Sequence, residues 1–130
     1  MSTPINTLAR DSDPYVVAEI GCNHMGRMSV ANELIQKAAE FCQIPCVKFQ
    51  KRCVRETLTP EEYDRPHPVP DNSYGKSYGE HRDNLEFSLD QHRELMDYCT
   101  EWKIAYSCSV WDLTSARDII SLQPEFLKIP

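Results

Sequence analysis

Short apolar runs alternate with amphipathic stretches along most of this 130-residue chain. The runs are rich in β-branched and aromatic residues, and they predict four strands, at residues 15–20, 46–50, 104–110 and 126–130. Between the strands, apolar residues recur at the i, i+3, i+4, i+7 spacing of a helix face. This spacing predicts three helices, at residues 29–42, 88–103 and 112–123.

Local signals mark where the helices begin and which face they bury. Ser29 is a predicted N-cap of the first helix, and Ser88 with Gln91 fits a capping box at the start of the second. Cys42 continues the apolar stripe of the first helix. Residues 51–87 show neither the alternation of a strand nor the apolar spacing of a helix. A connection of that length is interpreted as a binding loop or lid without regular structure.

One helix between successive strands predicts an α/β fold with parallel strands and right-handed crossovers. An open doubly wound sheet and a (β/α)8 barrel both fit this order. The turn after the first strand carries no GxGxxG or GxxxxGK[ST] pattern. That weakens the nucleotide-binding alternative.

Successive side chains of a strand point to opposite faces, so the sequence predicts which residues share a face. One set in each strand is apolar and is expected to pack on the helices. The other set becomes polar toward the carboxyl end of the strand, which in a barrel is the mouth where active sites lie. Five polar side chains are therefore expected at one mouth: Glu19, Lys48, Gln50, Ser109 and Lys128.

The glutamate inside the first strand admits two interpretations. A buried Glu–Lys pair with a purely structural role would explain Glu19 and one of the two lysines. The second lysine would remain unpaired, and burying an unpaired cation costs several kcal/mol. Two lysines with a single carboxylate instead predict a site for an anionic ligand.

Composition narrows the classes of partner. The net charge is −6 and no basic stripe is present, which argues against nucleic acid as a partner. No apolar run approaches the ~20 residues of a membrane span. The N-terminus has no apolar signal region, so a cytoplasmic location is expected and the six cysteines are expected to be thiols.

Five segments carry a more specific signal: AEIGCNHMG, VKFQK, YGKSYGEHRDNLEFS, YCTEWKIAYSCSVWD and FLKIP. In this order and spacing they resemble the N-acetylneuraminate (sialic acid) synthase family, which includes the bacterial spore-coat polysaccharide synthases. The resemblance implies the first half, about four β/α units, of a (β/α)8 TIM barrel. Residues 1–14 would then be an N-terminal extension, and residues 15–130 the N-terminal part of the synthase barrel.

The resemblance also implies an activity. The family is a group of transferases that condense phosphoenolpyruvate with an N-acetylated hexosamine, typically N-acetylmannosamine. The products are a nine-carbon 2-keto sugar acid and phosphate. A divalent metal, Mn²⁺ or Mg²⁺, is implied, with ligands expected from strands beyond this chain and none within it. The full-length family forms homodimers, so a homo-oligomer is expected.

Site roles follow from the resemblance position by position. Lys48, Ser109 and Lys128 match the family's phosphoenolpyruvate contacts. Gln50 lies in the KFQ motif and is assigned a supporting role beside them. Glu19 matches a carboxylate near the reacting carbons, which makes it the predicted catalytic residue.

Three further positions match outside the strands. Asn72, in the VPDN segment of the long connection, resembles a sugar-contacting asparagine. Asn23 and His24 match the NHxG motif and are expected to shape the mouth after the first strand.

Two alternative functions remain open at the level of sequence. A (β/α)8 barrel needs ~250 residues, so this chain alone is expected to be inactive, and a non-catalytic half-barrel that binds a partner is one alternative. The other is a Schiff-base aldolase on the same barrel, with Lys48 or Lys128 as the nucleophile.

Overall fold

The computed structural model describes residues 14–130, and all but one residue of the predicted N-terminal extension lies outside that range. Four parallel strands form one sheet in chain order, as the alternation predicts. They are β1 (Val17–Gly21), β2 (Cys46–Lys51), β3 (Ala105–Val110) and β4 (Phe126–Lys128).

Six α-helices connect the strands within the described residues: α1 (Met28–Gln36), α2 (Val54–Thr57), α3 (Pro60–Asp64), α4 (Tyr78–Asp83), α5 (Leu89–Glu101) and α6 (Leu113–Ser121). A π-helical turn (Lys37–Phe41) extends α1, and a 3-10 turn (Pro70–Asn72) lies in the long connection. Helices α1, α5 and α6 are the three predicted ones. In residues 14–130, no helix combines the length and apolar character needed to cross a membrane.

The hydrophobic core lies between the sheet and the helices. Helix α1 packs against α5, and both α5 and α6 pack against β3. The strand residues predicted to face the helices supply the sheet side of this core, among them Ile20, Val47, Phe49, Tyr106 and Cys108. The strand alternation is thereby confirmed for the apolar face.

The helix ends agree with the sequence in one case and differ in another. The Ser88–Gln91 capping box is present at α5. Ser29 is not an N-cap, because α1 begins one residue earlier with Arg27 at the N-cap position. Cys42 is exposed and does not extend the buried stripe, since the π-helical turn changes the phase of the helix before it.

The long connection is more regular than the expectation of a loop without structure. It contains α2, α3 and α4. Thr59 and Glu62 form a capping box at α3, and the Ser77 side chain accepts a hydrogen bond from the Glu80 backbone at α4. Both are [ST]-x-x-E patterns that mark helix starts in a sequence. The hydrophobic period failed here because helices of four to six residues are too short to show it.

Candidate functional site

Five predicted polar residues lie on the sheet face opposite the core. In the strand register Glu19 pairs with Lys48, Gln50 with Ser109, and Ser109 with Lys128. Residues paired in register on neighbouring strands point to the same side of a sheet. The structure therefore places the five residues on one face, toward the carboxyl ends of the strands.

Lys48 is the centre of this group. Its Nζ lies 2.5 Å from Glu19 Oε2 and donates a hydrogen bond of 2.7 Å to Ser109 Oγ. The Lys48 side chain is only 8% exposed, whereas the Glu19 side chain is 56% exposed. The lysine is thus held in place from two strands, and the carboxylate remains open on its outer side.

A bulge at the end of β1 brings Gln50 near Glu19. The register with β2 shifts between Glu19 and Gly21, and Gly21 adopts φ +56. A Cβ added at Gly21 would lie 3.8 Å from Glu19 Oε1 and 4.0 Å from Gln50 Oε1. Both side chains therefore border the same small space beside the glycine. Gln50 Nε2 also donates to Cys22 Sγ at 2.6 Å.

Lys128 completes the face from β4. It is exposed, and no ion pair involving it occurs in the part of the chain that the structure describes. Glu19 is engaged by Lys48. A second lysine without an ion pair is therefore present on this face, but because Lys128 is exposed, the burial cost expected from the sequence does not apply to it.

The NHxG residues lie in the turn after β1. His24 is buried and stacks on the Phe87 ring at 4.1 Å, and burial lowers the pKa of its imidazole to about 4. Asn23 is exposed and donates from Nδ2 to the Ile20 carbonyl at 2.9 Å. Both residues shape the local backbone of this turn, since the Gly26 backbone N–H also donates to His24 Nδ1.

Asn72 is separate from the five-residue group. It is exposed and ends the 3-10 turn, where its backbone N–H donates to the Val69 carbonyl. Within residues 14–130, no hydrogen bond links its side chain to the strand residues. Its predicted contact with a sugar remains a prediction.

A second polar group, which the sequence reading did not single out, follows β2. The Arg52 guanidinium lies over the Trp111 ring at 4.4 Å, and its Nε is 3.6 Å from Glu86 Oε1. The Arg52 backbone N–H donates to Glu86 Oε2 at 3.0 Å. Burial raises the pKa of Glu86 to about 7. Arg52 could have been predicted to join this polar face, because it continues the two-residue alternation of Lys48 and Gln50.

Arg82, on α4, belongs to the same group. Its Nε and Nη2 both donate to the Tyr78 hydroxyl, at 3.1 Å and 2.7 Å. Burial first, and the positive charge of Arg82 second, lower the pKa of Arg52. Burial and the like charge of Arg82 thus act in the same direction on Arg52.

A metal site is not formed by the residues described. Within residues 14–130, no three His, Cys, Asp or Glu side chains come together in a way that could hold a metal ion. The donor set needed for Mn²⁺ or Mg²⁺ is thus not supplied by the described residues.

Comparison with known proteins gives consistent results. A model of the NeuB family matches residues 34–130. The chain is 38% identical over 116 residues to N-acetylneuraminate-9-phosphate synthase of Drosophila melanogaster, covering 88% of this chain and 30% of that protein. It is 31% identical over 131 residues to the spore coat polysaccharide biosynthesis protein SpsE of Bacillus subtilis, covering 95% and 32%. The chain spans about a third of the length of these relatives.

A solved structure supports the fold. The chain superposes on an N-acetylneuraminic acid (sialic acid) synthetase from Leptospira borgpetersenii with a TM-score of 0.69 at 21% identity, covering 90% of this chain and 36% of the other. At this identity the likeness establishes architecture alone. The predicted fold class, half of a (β/α)8 barrel with parallel strands, is confirmed.

Proposed function

Since the chain belongs to the NeuB family, we propose that it forms the phosphoenolpyruvate-binding half of a synthase barrel. The reaction joins phosphoenolpyruvate to an N-acetylated hexosamine and yields a nine-carbon 2-keto sugar acid and phosphate. The Drosophila relative is named for a related product and the Bacillus relative for spore coat polysaccharide. The first name is consistent with assembly of an acidic sugar, and the second with biosynthesis of a polysaccharide.

The observation that carries this proposal is the charge balance of the inner sheet face. Lys48 is buried between Glu19 and Ser109, and Lys128 lies in register with Ser109. One carboxylate thus balances one of two lysines. Phosphoenolpyruvate carries a carboxylate and a phosphate, and charge-assisted hydrogen bonds from Lys48, Lys128 and the Ser109 hydroxyl suit such an anion.

The chemistry assigns a role to the exposed side of Glu19. The methylene carbon of phosphoenolpyruvate attacks the aldehyde carbon of the sugar, the new C–C bond forms, and the aldehyde oxygen takes up a proton. Water then adds to the oxocarbenium carbon and loses a proton, after which the C–O bond to phosphate breaks. A carboxylate beside that cation stabilises it or accepts the proton of the water.

The aldolase alternative is less consistent with the geometry. A Schiff-base lysine must be an uncharged amine when it attacks a carbonyl. Lys48 Nζ already contacts Glu19 Oε2 at 2.5 Å and donates a hydrogen bond of 2.7 Å to Ser109 Oγ, so it is not free to approach a carbonyl carbon. The position of Lys48 therefore suits binding of an anion better than nucleophilic attack.

Several features of the whole protein are part of the proposal. Mn²⁺ or Mg²⁺ is the expected metal, a homodimer the expected assembly, and the cytoplasm the expected location. Because four strands provide half of a barrel mouth, the 130-residue chain alone is expected to be inactive. Gln50 is proposed to support the substrate from its place beside Glu19, and Asn72 to contact the sugar.

The proposal is tested in a chimera in which residues 15–130 replace the matched segment of the Drosophila relative. Lys48→Met and Lys128→Met should each lower kcat/KM for phosphoenolpyruvate at least ~10-fold, because each removes a charge-assisted contact worth roughly 1.5–3 kcal/mol. Steady-state phosphate release measures this loss.

The matched control is Lys37→Met, which removes an exposed lysine of the π-helical turn. It should leave the kinetics unchanged. Full activity in both site variants would contradict the assignment of the lysines. A folded chimera that consumes no phosphoenolpyruvate would contradict the proposed function as a whole.

A further inference from the structure

A small space beside Gly21, the Gly21 niche, lies within the polar face of the sheet. It is bordered by Glu19 Oε1 and Gln50 Oε1, which are 3.8 Å and 4.0 Å from the position that a Cβ of Gly21 would take. Apart from the two chain neighbours of Gly21, no other heavy atom of the described residues lies within 4 Å of that position. A ligand for the niche can be inferred from these two oxygens, an inference that rests on the proposed function.

Both oxygens are free to accept hydrogen bonds. Lys48 Nζ contacts the other carboxylate oxygen of Glu19, Oε2, at 2.5 Å, and it also donates to Ser109 Oγ. The carboxylate is therefore held by Oε2, and Oε1 remains for another partner. Within residues 14–130, neither Glu19 Oε1 nor Gln50 Oε1 accepts a hydrogen bond.

Cys22 determines which end of the Gln50 amide faces the niche. Gln50 Nε2 donates to Cys22 Sγ at 2.6 Å, and this contact turns the amide oxygen toward the niche. Burial raises the pKa of the Cys22 thiol, so its sulfur is an uncharged acceptor at neutral pH. Without that acceptor the amide can rotate by half a turn and donate its N–H to the Glu19 carboxylate instead, which would close the niche.

Two acceptors beside one space require a ligand with two donor hydrogens. A sugar hydroxyl group has one O–H, so it can satisfy only one of the two oxygens. A water molecule has two O–H groups and can donate to both. Because a Cβ would fit the niche at ordinary contact distances, the space is also of the right size for one water.

The proposed reaction consumes one water molecule beside Glu19. A lone pair of the water oxygen forms the bond to the oxocarbenium carbon, and one proton passes to the Glu19 carboxylate. The second proton stays on the new hydroxyl group. When the C–O bond to phosphate breaks, phosphate leaves with the electron pair of that bond and takes up this second proton as the carbonyl forms. A water that donates to both oxygens of the niche directs a lone pair away from them, as the attack requires.

We propose that the Gly21 niche holds the water molecule that attacks the oxocarbenium carbon. Glu19 Oε1 accepts its proton, and Gln50 Oε1 orients it through the second O–H. Cys22 is a positioning residue that keeps the Gln50 amide oxygen turned to the niche. Gly21 leaves the space that the water occupies.

The test measures steady-state kinetics of the chimera described above with phosphoenolpyruvate and N-acetylmannosamine. Gln50→Met keeps the length of the side chain but removes the amide oxygen. It should lower kcat at least ~10-fold and change either KM less than ~3-fold, because the lost contact is to the attacking water and not to a substrate. The solvent deuterium isotope effect on kcat should increase, since addition of water then limits the rate.

Two substitutions of Cys22 test its positioning role. Cys22→Ala should lower kcat at least ~5-fold with the same small changes in KM and the same larger isotope effect, because the amide is no longer oriented. Cys22→Ser provides a hydroxyl acceptor for Gln50 Nε2 and should restore kcat to within ~2-fold of the unmodified chimera. Cys42→Ala, which changes an exposed cysteine, is the matched control and should leave the kinetics unchanged.

Three results would overturn the water site. A raised KM for the sugar with an intact kcat in Gln50→Met would show that Gln50 contacts the acceptor instead. A loss in Cys22→Ala that serine does not restore, or that leaves the isotope effect unchanged, would show a structural role for Cys22. An active chimera that keeps its kcat in both Gln50→Met and Cys22→Ala would contradict the water site alone, whereas an unmodified chimera that consumes no phosphoenolpyruvate would contradict the proposed function itself.

Discussion

At the scale of single residues, burial shifts the pKa of side chains whose sequence context shows nothing unusual. Glu86 is one of 20 acidic residues in the chain, yet its side chain is only 11% exposed and lies against Arg52. Its Oε1 is buried and forms no hydrogen bond within the described residues. Desolvation outweighs the nearby positive charges and raises the pKa of its carboxyl to about 7.

This shift predicts a dependence of stability on pH. Below about pH 4.5 the carboxyl is protonated in both states. Between about pH 4.5 and 7 the unfolded state loses its proton first, so the free energy of unfolding falls as pH rises, and above pH 7 the loss is complete. Glu86→Gln removes this loss. The stability of the variant relative to the unmodified protein should therefore rise across this window, by at most ~1.4 kcal/mol per pH unit.

Urea unfolding at several pH values measures the difference. Glu94→Gln, an exposed position on α5, is the control and should follow the pH profile of the unmodified protein. Parallel profiles for Glu86→Gln and the unmodified protein would show that Glu86 ionises normally in the folded state.

At the scale of elements, the turn between β1 and α1 links the polar face of the sheet to the long connection. Gly26 adopts φ +70, and a Cβ added there would lie 2.1 Å from the Asn84 carbonyl oxygen. The backbone after α4 therefore packs directly on this turn. His24, stacked on Phe87, reinforces the same contact.

Gly26→Ala should destabilise the protein by at least ~2 kcal/mol, because it combines an unfavourable backbone conformation with a clash against backbone that cannot move independently. Gly21→Ala is the matched control. Gly21 also has a positive φ, of +56, but the nearest atom to its added Cβ is 3.8 Å away. Gly21→Ala should lower the free energy of unfolding by the cost of the positive φ alone, ~1–2 kcal/mol.

Chemical denaturation of the two variants separates the cost of the positive φ from the cost of the clash. Equal losses of stability in the two variants would mean that the turn and the long connection are not packed together as closely as the structure indicates. A larger loss for Gly26→Ala would assign the difference to the contact with Asn84.

At the scale of the whole molecule, the sheet has two edges. In the described part of the chain, β1 pairs only with β2, and β4 pairs only with β3. An open edge presents unpaired backbone groups that template association. The inner face also leaves Val17, Ala105 and Phe126 partly exposed beside the polar group.

The 130-residue chain by itself should therefore be either an oligomer or a weakly folded species. Sedimentation over a range of concentrations, together with urea unfolding, tests this expectation. A monomer at every concentration, with a sharp two-state transition and a stability of several kcal/mol, would show that this half-barrel is self-sufficient.

Much of the fold could be predicted from the sequence because the signals are local. The i, i+3, i+4 spacing located α1, α5 and α6, and the two-residue period placed Glu19 and Lys48 on the face away from the core. Both periods follow from backbone geometry alone. The roles assigned to Asn23, His24 and Asn72 rest on the resemblance, and they stay predictions.

The tertiary structure decided the contacts and the burial of residues that lie far apart in the sequence. The sequence by itself determined the order of strands and helices, the polar face and the excess of lysine over carboxylate on it. It did not determine that Glu86 reaches back 34 positions to Arg52, or that Arg82 on α4 faces the same group. Such contacts, like the burial that raises the pKa of Glu86, arise only when the long connection folds over the end of β2, because burial and Coulomb energy depend on positions in space.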